Sequence, residues 1–290
     1  MAINMNTLCV QCLLNKHIEA ARALDSEKAI PFTRELLDIV KDGLDRTHSA
    51  KVGAIINGLY QKHFGLGQDL YVQEKKDSNT FVKARLEKIT ALILQQADPV
   101  FAALQFAILG NYLDFSALKG QVSFEKLDAM LQQTLQMQLD TAVYASFCQD
   151  LEKSEKLLYV TDNAGEIGFD RILAQQLQKK YPHLQITFCV RGMPAHNDAT
   201  REDAAFMEIP FPVIDTGNDV GGMDLPSLGQ QAKQALEEAD VILTKGMGNA
   251  EGLFGSGYHV YYAFLVKCAR FVEFFDKPHM TPMFIKECKM

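Results

Sequence analysis

After residue 156 the chain alternates short β-forming apolar runs with helical stretches, and this alternation restricts the fold more than any other feature. Leu157 to Thr161 reads as a buried strand and Gly168 to Lys180 as a helix. Leu184 to Val190 and Val213 to Thr216 are again strands; Pro226 to Glu238 is helical, and Val241 to Thr244 and Val260 to Val266 are strands. Strands joined through helices predict a parallel sheet covered on both faces. Before residue 156 the apolar spacing is helical. Ser123 caps a helix carrying Leu127, Met130, Leu131, Leu135 and Leu139, and Lys83 to Gln95 sets Leu86, Ile89, Leu92 and Ile93 on one side. Asp98-Pro99 is a cap followed by a first-turn proline, which opens the apolar helix to Leu109. Glycines at 53, 58, 65 and 67 and the polar stretch Glu74 to Asn79 read as loops. The expected class is α/β. An all-helical N-terminal domain (1–153) packs on a Rossmann-like C-terminal domain (154–290) with a parallel or mixed sheet, and the boundary is charged (Glu152, Lys153, Glu155, Lys156).

In such a sheet the carboxyl ends of neighbouring strands face one crevice, where ligands bind. Two segments end strands there, Val160-Thr161-Asp162-Asn163-Ala164-Gly165-Glu166 and Arg191-Gly192-Met193-Pro194-Ala195-His196-Asn197-Asp198-Ala199-Thr200. Each sets a carboxylate beside a carboxamide. Asp162, Asn163 and Asp198 would converge as hard oxygen donors, a set that suits magnesium or manganese better than zinc. The bland alternative is that Asp162 or Asn163 caps the following helix and Asp198 caps one starting at Ala199. The helix start after Gly165 offers N–H groups to an anion, and Glu166 could bind a ligand hydroxyl. Arg191 could reach a phosphate bidentately or pair with Glu202 or Asp203. At a third strand end, Thr244-Lys245-Gly246-Met247-Gly248-Asn249-Ala250-Glu251-Gly252 combines a lysine with a glycine-rich turn, as phosphate binding requires. The Asp215 to Asp219 loop, with a glycine pair behind it, reads as a cover over the site.

Composition removes other classes. A net charge of −7 argues weakly against a large nucleic-acid footprint, which would need a basic face. The most apolar run, Pro99 to Leu113, is too short to span a bilayer. The N-terminus has no basic segment leading into an apolar stretch, so a cytoplasmic location is expected. Six cysteines are too scattered for a disulfide scaffold. Cys9 and Cys12 read as half-buried thiols on a first helix, with zinc or redox roles as the weaker alternatives. Cys148, Cys189 and Cys268 read as core, and His196 as an exposed loop histidine.

The combination of DNAGE, RGxPxxNDAT and KGxGNxE resembles the damage-control phosphatase family, long catalogued as a domain of unknown function. Cys9-Val10-Gln11-Cys12 is similar to the CxxC that opens its prokaryotic branch. Asp98-Pro99 and Gly110-Asn111-Tyr112-Leu113-Asp114-Phe115 resemble its DP and GNxxDF segments. The resemblance implies hydrolysis of small phosphomonoesters, such as sugar phosphates or damaged phosphometabolites. It also implies a divalent metal (manganese, magnesium, nickel or cobalt) on Asp162, Asn163 and Asp198, which are the catalytic residues. Substrate and phosphate contacts fall on Glu166 and Lys245, with Arg191, Asn197, Asn111 and Asp114 beside them. Asp69-Leu70-Tyr71 departs from the family, where proline often holds the middle position. Position 164 is alanine, so the second aspartate of haloacid-dehalogenase phosphatases is missing, which favours a water nucleophile over Asp162. Two rivals stay open: a Rossmann-like module that binds a nucleotide or phosphometabolite without hydrolysing it, and an S-adenosylmethionine-dependent carboxyl methyltransferase.

Overall fold

The fold was analysed in a computed structural model, described for residues 3–111, 131 and 133–287. It opens with α1 (Thr7–Leu24), α2 (Ala29–Gly43), α3 (Ser49–Phe64), α4 (Val72–Lys83), α5 (Leu86–Leu94) and α6 (Pro99–Gly110). After a short 3-10 turn, Thr134–Gln136, come α7 (Thr141–Lys153) and β1 (Lys156–Val160). The chain then alternates α8 (Glu166–Lys180), β2 (Gln185–Val190), α9 (Arg201–Phe206), β3 (Val213–Asp215) and α10 (Gln230–Glu238). It closes with β4 (Val241–Lys245), α11 (Met247–Leu253), β5 (Val260–Leu265), α12 (Ala269–Phe275) and β6 (Pro282–Glu287).

The six strands form one sheet in the order β3-β2-β1-β4-β5-β6. All neighbours are parallel except β5 and β6. The strand order reverses between β1 and β4, which is where an open α/β sheet leaves its ligand crevice. Alternation feeds two cores: Leu157 and Tyr159 face one layer, while Leu158 and Val160 face the other. The first layer contains α4 to α8 in one continuous core with the sheet, and the second contains α10 to α12. Only α1 to α3 have an apolar core of their own, around Phe32, Leu36 and Ile56. The apolar side chains of α1 to α3 thus pack apart from those of α4 to α6, which share the first core with the sheet.

Asp98 caps α6 as its sequence predicts, accepting from the Val100 and Phe101 amides at 3.1 Å each. Three expectations change. Gly53 and Gly58 lie inside α3, and Glu74 to Asn79 lies inside α4, because buried contacts of those helices outweigh weak local propensity. The antiparallel β6 is added at the sheet edge. The Ser123 helix falls outside the described residues, although Leu131 and Leu139 are buried in the first core. Cys9 is buried and Cys12 exposed, so one thiol rather than both enters the core. Among the described residues no helix is long and apolar enough to cross a membrane.

Candidate active site at the carboxyl ends of β1, β2 and β4

The loops that leave β1 and β2 are joined by backbone hydrogen bonds. Ala199 N donates to Asp162 O at 2.7 Å and Ala164 N to Asn197 O at 2.8 Å, around a bridge between Asn163 and Asp198. Asp162, Asn163 and Asp198 are thereby brought side by side, each buried. None of the three is a helix cap. Gly165 occupies the N-cap of α8 with no side-chain bond. Thr200 caps α9 in a reciprocal capping box with Asp203. The capping role expected for Asp198 is filled by the residue two positions later, which leaves its carboxylate for the crevice.

Around this set the side chains interlock. Asn163 Nδ2 donates to Asp162 Oδ2 at 2.8 Å and to Glu166 Oε2 at 2.9 Å. Asn111, at the C-cap of α6, donates to the same two atoms at 2.7 and 3.2 Å. Arg191 Nε binds Asp198 Oδ2 at 2.6 Å, and its Nη2 reaches Asn249 Oδ1 at 2.7 Å. The partner of Arg191 is therefore Asp198, neither Glu202 nor Asp203. Its Nη1 is buried with no hydrogen-bond partner. Asn249 in turn donates to the carbonyls of Thr161 and Lys245, at 2.8 and 2.7 Å.

Lys245 corrects the expected phosphate contact. Its side chain is wholly buried, and its three ammonium protons meet three acceptors: Ala107 O at 2.7 Å, Glu166 Oε1 at 2.5 Å and Asp170 Oδ1 at 2.9 Å. No proton remains to donate to a ligand. The expected anion site at the start of α8 is filled as well. Asn79 Oδ1 accepts from Gly165 N at 2.7 Å, and Asn197 O takes the Ala164 amide.

Four buried carboxylates (Asp162, Glu166, Asp170, Asp198) face two buried cations, Lys245 and Arg191. Burial, then the charges of Asp198 and Glu166, hold the Asp162 carboxyl well above the usual carboxylate range. Burial raises Asp198 despite Arg191, and pushes Asp170 up to about 6 despite Lys245. Four buried carboxylates beside two buried cations are costly to keep ionised unless a further cation joins them. The donor set (two carboxylates and a carboxamide oxygen) is that of a hard divalent ion. Gly246, at φ +77°, makes room for the Asp162 carboxylate: a Cβ there would stand 2.1 Å from Asp162 Oδ2. The residues therefore fit a divalent cation. Among the described residues no cluster of three His, Cys, Asp or Glu side chains offers a metal site.

The family of damage-control phosphatase ARMT1-like domains matches residues 5–281. The chain belongs to that family. A damage-control phosphatase of Archaeoglobus fulgidus is 30% identical over 92% of this chain and 93% of its own. One of Pyrococcus horikoshii is 31% identical over 84% of each. An uncharacterised protein of Methanocaldococcus jannaschii is 29% identical over 94% of this chain and 92% of its own. The crystal structure of a DUF89 family protein from Pyrococcus horikoshii superposes with a TM-score of 0.82 at 23% identity, covering 97% of this chain and 98% of that one. That likeness bears on the fold. Membership of the damage-control phosphatase family supports a phosphatase enzyme.

In this phosphatase the helical part reaches the crevice at several points. Asn79 also donates to Asp203 Oδ1 at 2.7 Å, and Lys75 pairs with Asp203 at 3.1 Å. Glu251 accepts from Ser49 Oγ and the Ala50 amide at the start of α3. Asp224, beyond the glycine pair, is held by His48 and Lys51 at 3.3 and 3.1 Å. Asn197 joins the site through its backbone carbonyl, and Asp114 lies outside the described residues. Sequence reasoning missed Lys267. It follows β5 and stands near enough to lower the Asp162 pKa. The available signal was its place at a fourth strand end.

Proposed function

We propose that the chain hydrolyses small phosphomonoesters, sugar phosphates or damaged phosphometabolites, with the help of a divalent metal. Asp162, Asn163 and Asp198 would hold the ion, which could be manganese, magnesium, nickel or cobalt. When bound it supplies Lewis-acid polarisation of the phosphoryl oxygens. The observation that carries this reading is the convergence of the buried Asp162, Asn163 and Asp198 where the β1 and β2 loops are bridged.

The protein's own groups divide the remaining work. Lys245 neutralises Glu166 and Asp170 from beneath and so fixes Glu166. Glu166 Oε2 and Asp162 Oδ2 share the amide protons of Asn111 and Asn163, which sets the rotamer of Asp162. Arg191 aligns Asp198 through one oxygen and leaves the other for the crevice. Lys267 is the cation on the β5 side that can meet the phosphoryl group in place of Lys245. Asp162 is poorly prepared as a nucleophile, since burial and two amide donors tie its carboxylate down. Attack by water is the better account. The site sits at the carboxyl end of an open sheet, with its carboxylates buried, which strengthens its electrostatics.

The test is release of p-nitrophenol from p-nitrophenyl phosphate by metal-stripped protein, with magnesium, manganese, cobalt and nickel restored separately and Asp198→Ala in parallel. Metal-restored turnover that vanishes in the variant supports the reading. Protein that binds the ion and hydrolyses nothing overturns it.

A further inference from the structure

His196 does not behave as an exposed loop residue. It is half-buried and holds a left-handed backbone, φ 49°, which few side chains adopt and histidine tolerates better than most. Packing around the ring holds that conformation. Three contacts impose it here. The Tyr71 ring meets the imidazole edge-on, with centroids 5.7 Å apart at 72°. Gly53, in the middle of α3, provides its seat: a Cβ there would lie 3.0 Å from His196 Nε2. Gly221, in the loop over the site, lies on the other side. A Cβ on Gly221 would stand 3.4 Å from His196 Cδ2 and 3.8 Å from Asp198 Oδ2. The imidazole and the Asp198 carboxylate thus border the same small residue.

Resting on the phosphatase reading above, we propose that His196 and Tyr71 form the wall that receives the leaving group of the phosphomonoester. They are specificity-determining residues, and the missing side chain at Gly53 leaves the space that the His196 ring occupies. Both rings combine a flat apolar face with a hydrogen-bonding tip, which suits a compact cyclic leaving group bearing hydroxyls. Asp162, Asn163 and Asp198 act on the phosphoryl end, which every phosphomonoester shares, so discrimination has to come from outside that set. Tyr71 comes from the helical part and His196 from the sheet part, so the wall spans the two.

The test measures kcat and KM for hexose monophosphates and for glycerol phosphate, and Ki for inorganic phosphate, in the metal-loaded protein. Tyr71→Ala, His196→Ala and Gly53→Ala are compared. The expected result is a rise of about tenfold in KM for the hexose esters, with a smaller rise for glycerol phosphate. Phosphate Ki should move less than about twofold, because phosphate does not reach the wall. Gly53→Ala is the decisive variant. Alanine favours the helix, so melting should hold or rise while the displaced imidazole spoils the hexose KM. An unchanged ratio of hexose to glycerol KM in all three variants, from an active wild type, overturns the inference. Wild-type protein that releases no phosphate from any ester with any metal refutes the phosphatase reading, and this inference with it.

Discussion

Replacing Lys245 by methionine tests the electrostatic account of the site most directly. Methionine keeps the length and apolar stem but removes the cation that, among the described residues, pairs with both Glu166 and Asp170. Both carboxylates are wholly or almost wholly buried, so solvent cannot substitute. Breaking a buried ion pair by removing one partner costs about 3–5 kcal/mol. That is a large part of the roughly 5–15 kcal/mol that holds a domain folded. The loss should depend on pH in a defined direction. Asp170 is pushed up to about 6 even with Lys245 present, and without it the carboxyl rises further. A folded-state pKa raised above the unfolded one contributes stability that is complete at low pH and lost as pH rises through the folded value. The variant should therefore be weakest near neutrality and recover as the carboxyls take protons. For one carboxylate protonating over two pH units the recovery is about 2.7 kcal/mol. Urea unfolding at about pH 7.5 and about pH 5.5 reads both quantities. Adding Asp170→Asn to Lys245→Met should restore part of the loss, a coupling that independent sites would not show. A deficit below about 1 kcal/mol, equal at the two pH values, would refute the claim that Lys245 is the buried counterion.

Three other perturbations follow from named contacts. Asp198→Asn should remove metal-dependent thermal stabilisation and cut turnover by about a hundredfold or more, read by calorimetry with manganese and by phosphate release. Gly246→Ala forces a Cβ onto the Asp162 carboxylate at a φ of +77°, so metal affinity should collapse and melting should fall in the metal-free protein as well; wild-type affinity in this variant would remove Gly246 from the site. Glu251 is pushed up to about 7, chiefly by burial. Its protonation supports folding below the ordinary glutamate range and that support fades as pH rises through about 7. Glu251→Gln should accordingly gain stability relative to wild type between about pH 5 and pH 8, and an opposite slope in denaturant titrations would contradict the assignment.

Local signals were readable without the fold. Strand and helix alternation after residue 156 follows from period and β-branching, and it reappears as β1 to β5 within one or two residues at each end. Asp98-Pro99 acts as written, because a cap is settled within one turn. The motifs at three strand ends come together, since parallel strands have to deliver their carboxyl ends to one side. Partner choice was not readable, because it depends on which side chains distant elements bring within 3 Å. Lys245 could have faced a ligand. It turns inward because Glu166, Asp170 and the Ala107 carbonyl already surround its strand end. Arg191 pairs with Asp198, seven positions on in its own loop, and not with Glu202 or Asp203 in the helix that follows. Asn111 acts on Asp162 from 51 positions away, and Gly53 matters only because His196 rests on it. Sequence by itself determined the elements and the end of the sheet where chemistry gathers, because those rest on local propensity and strand direction. Tertiary structure alone decided which carboxylates stay without a cation, because burial and pairing are properties of the assembled neighbourhood.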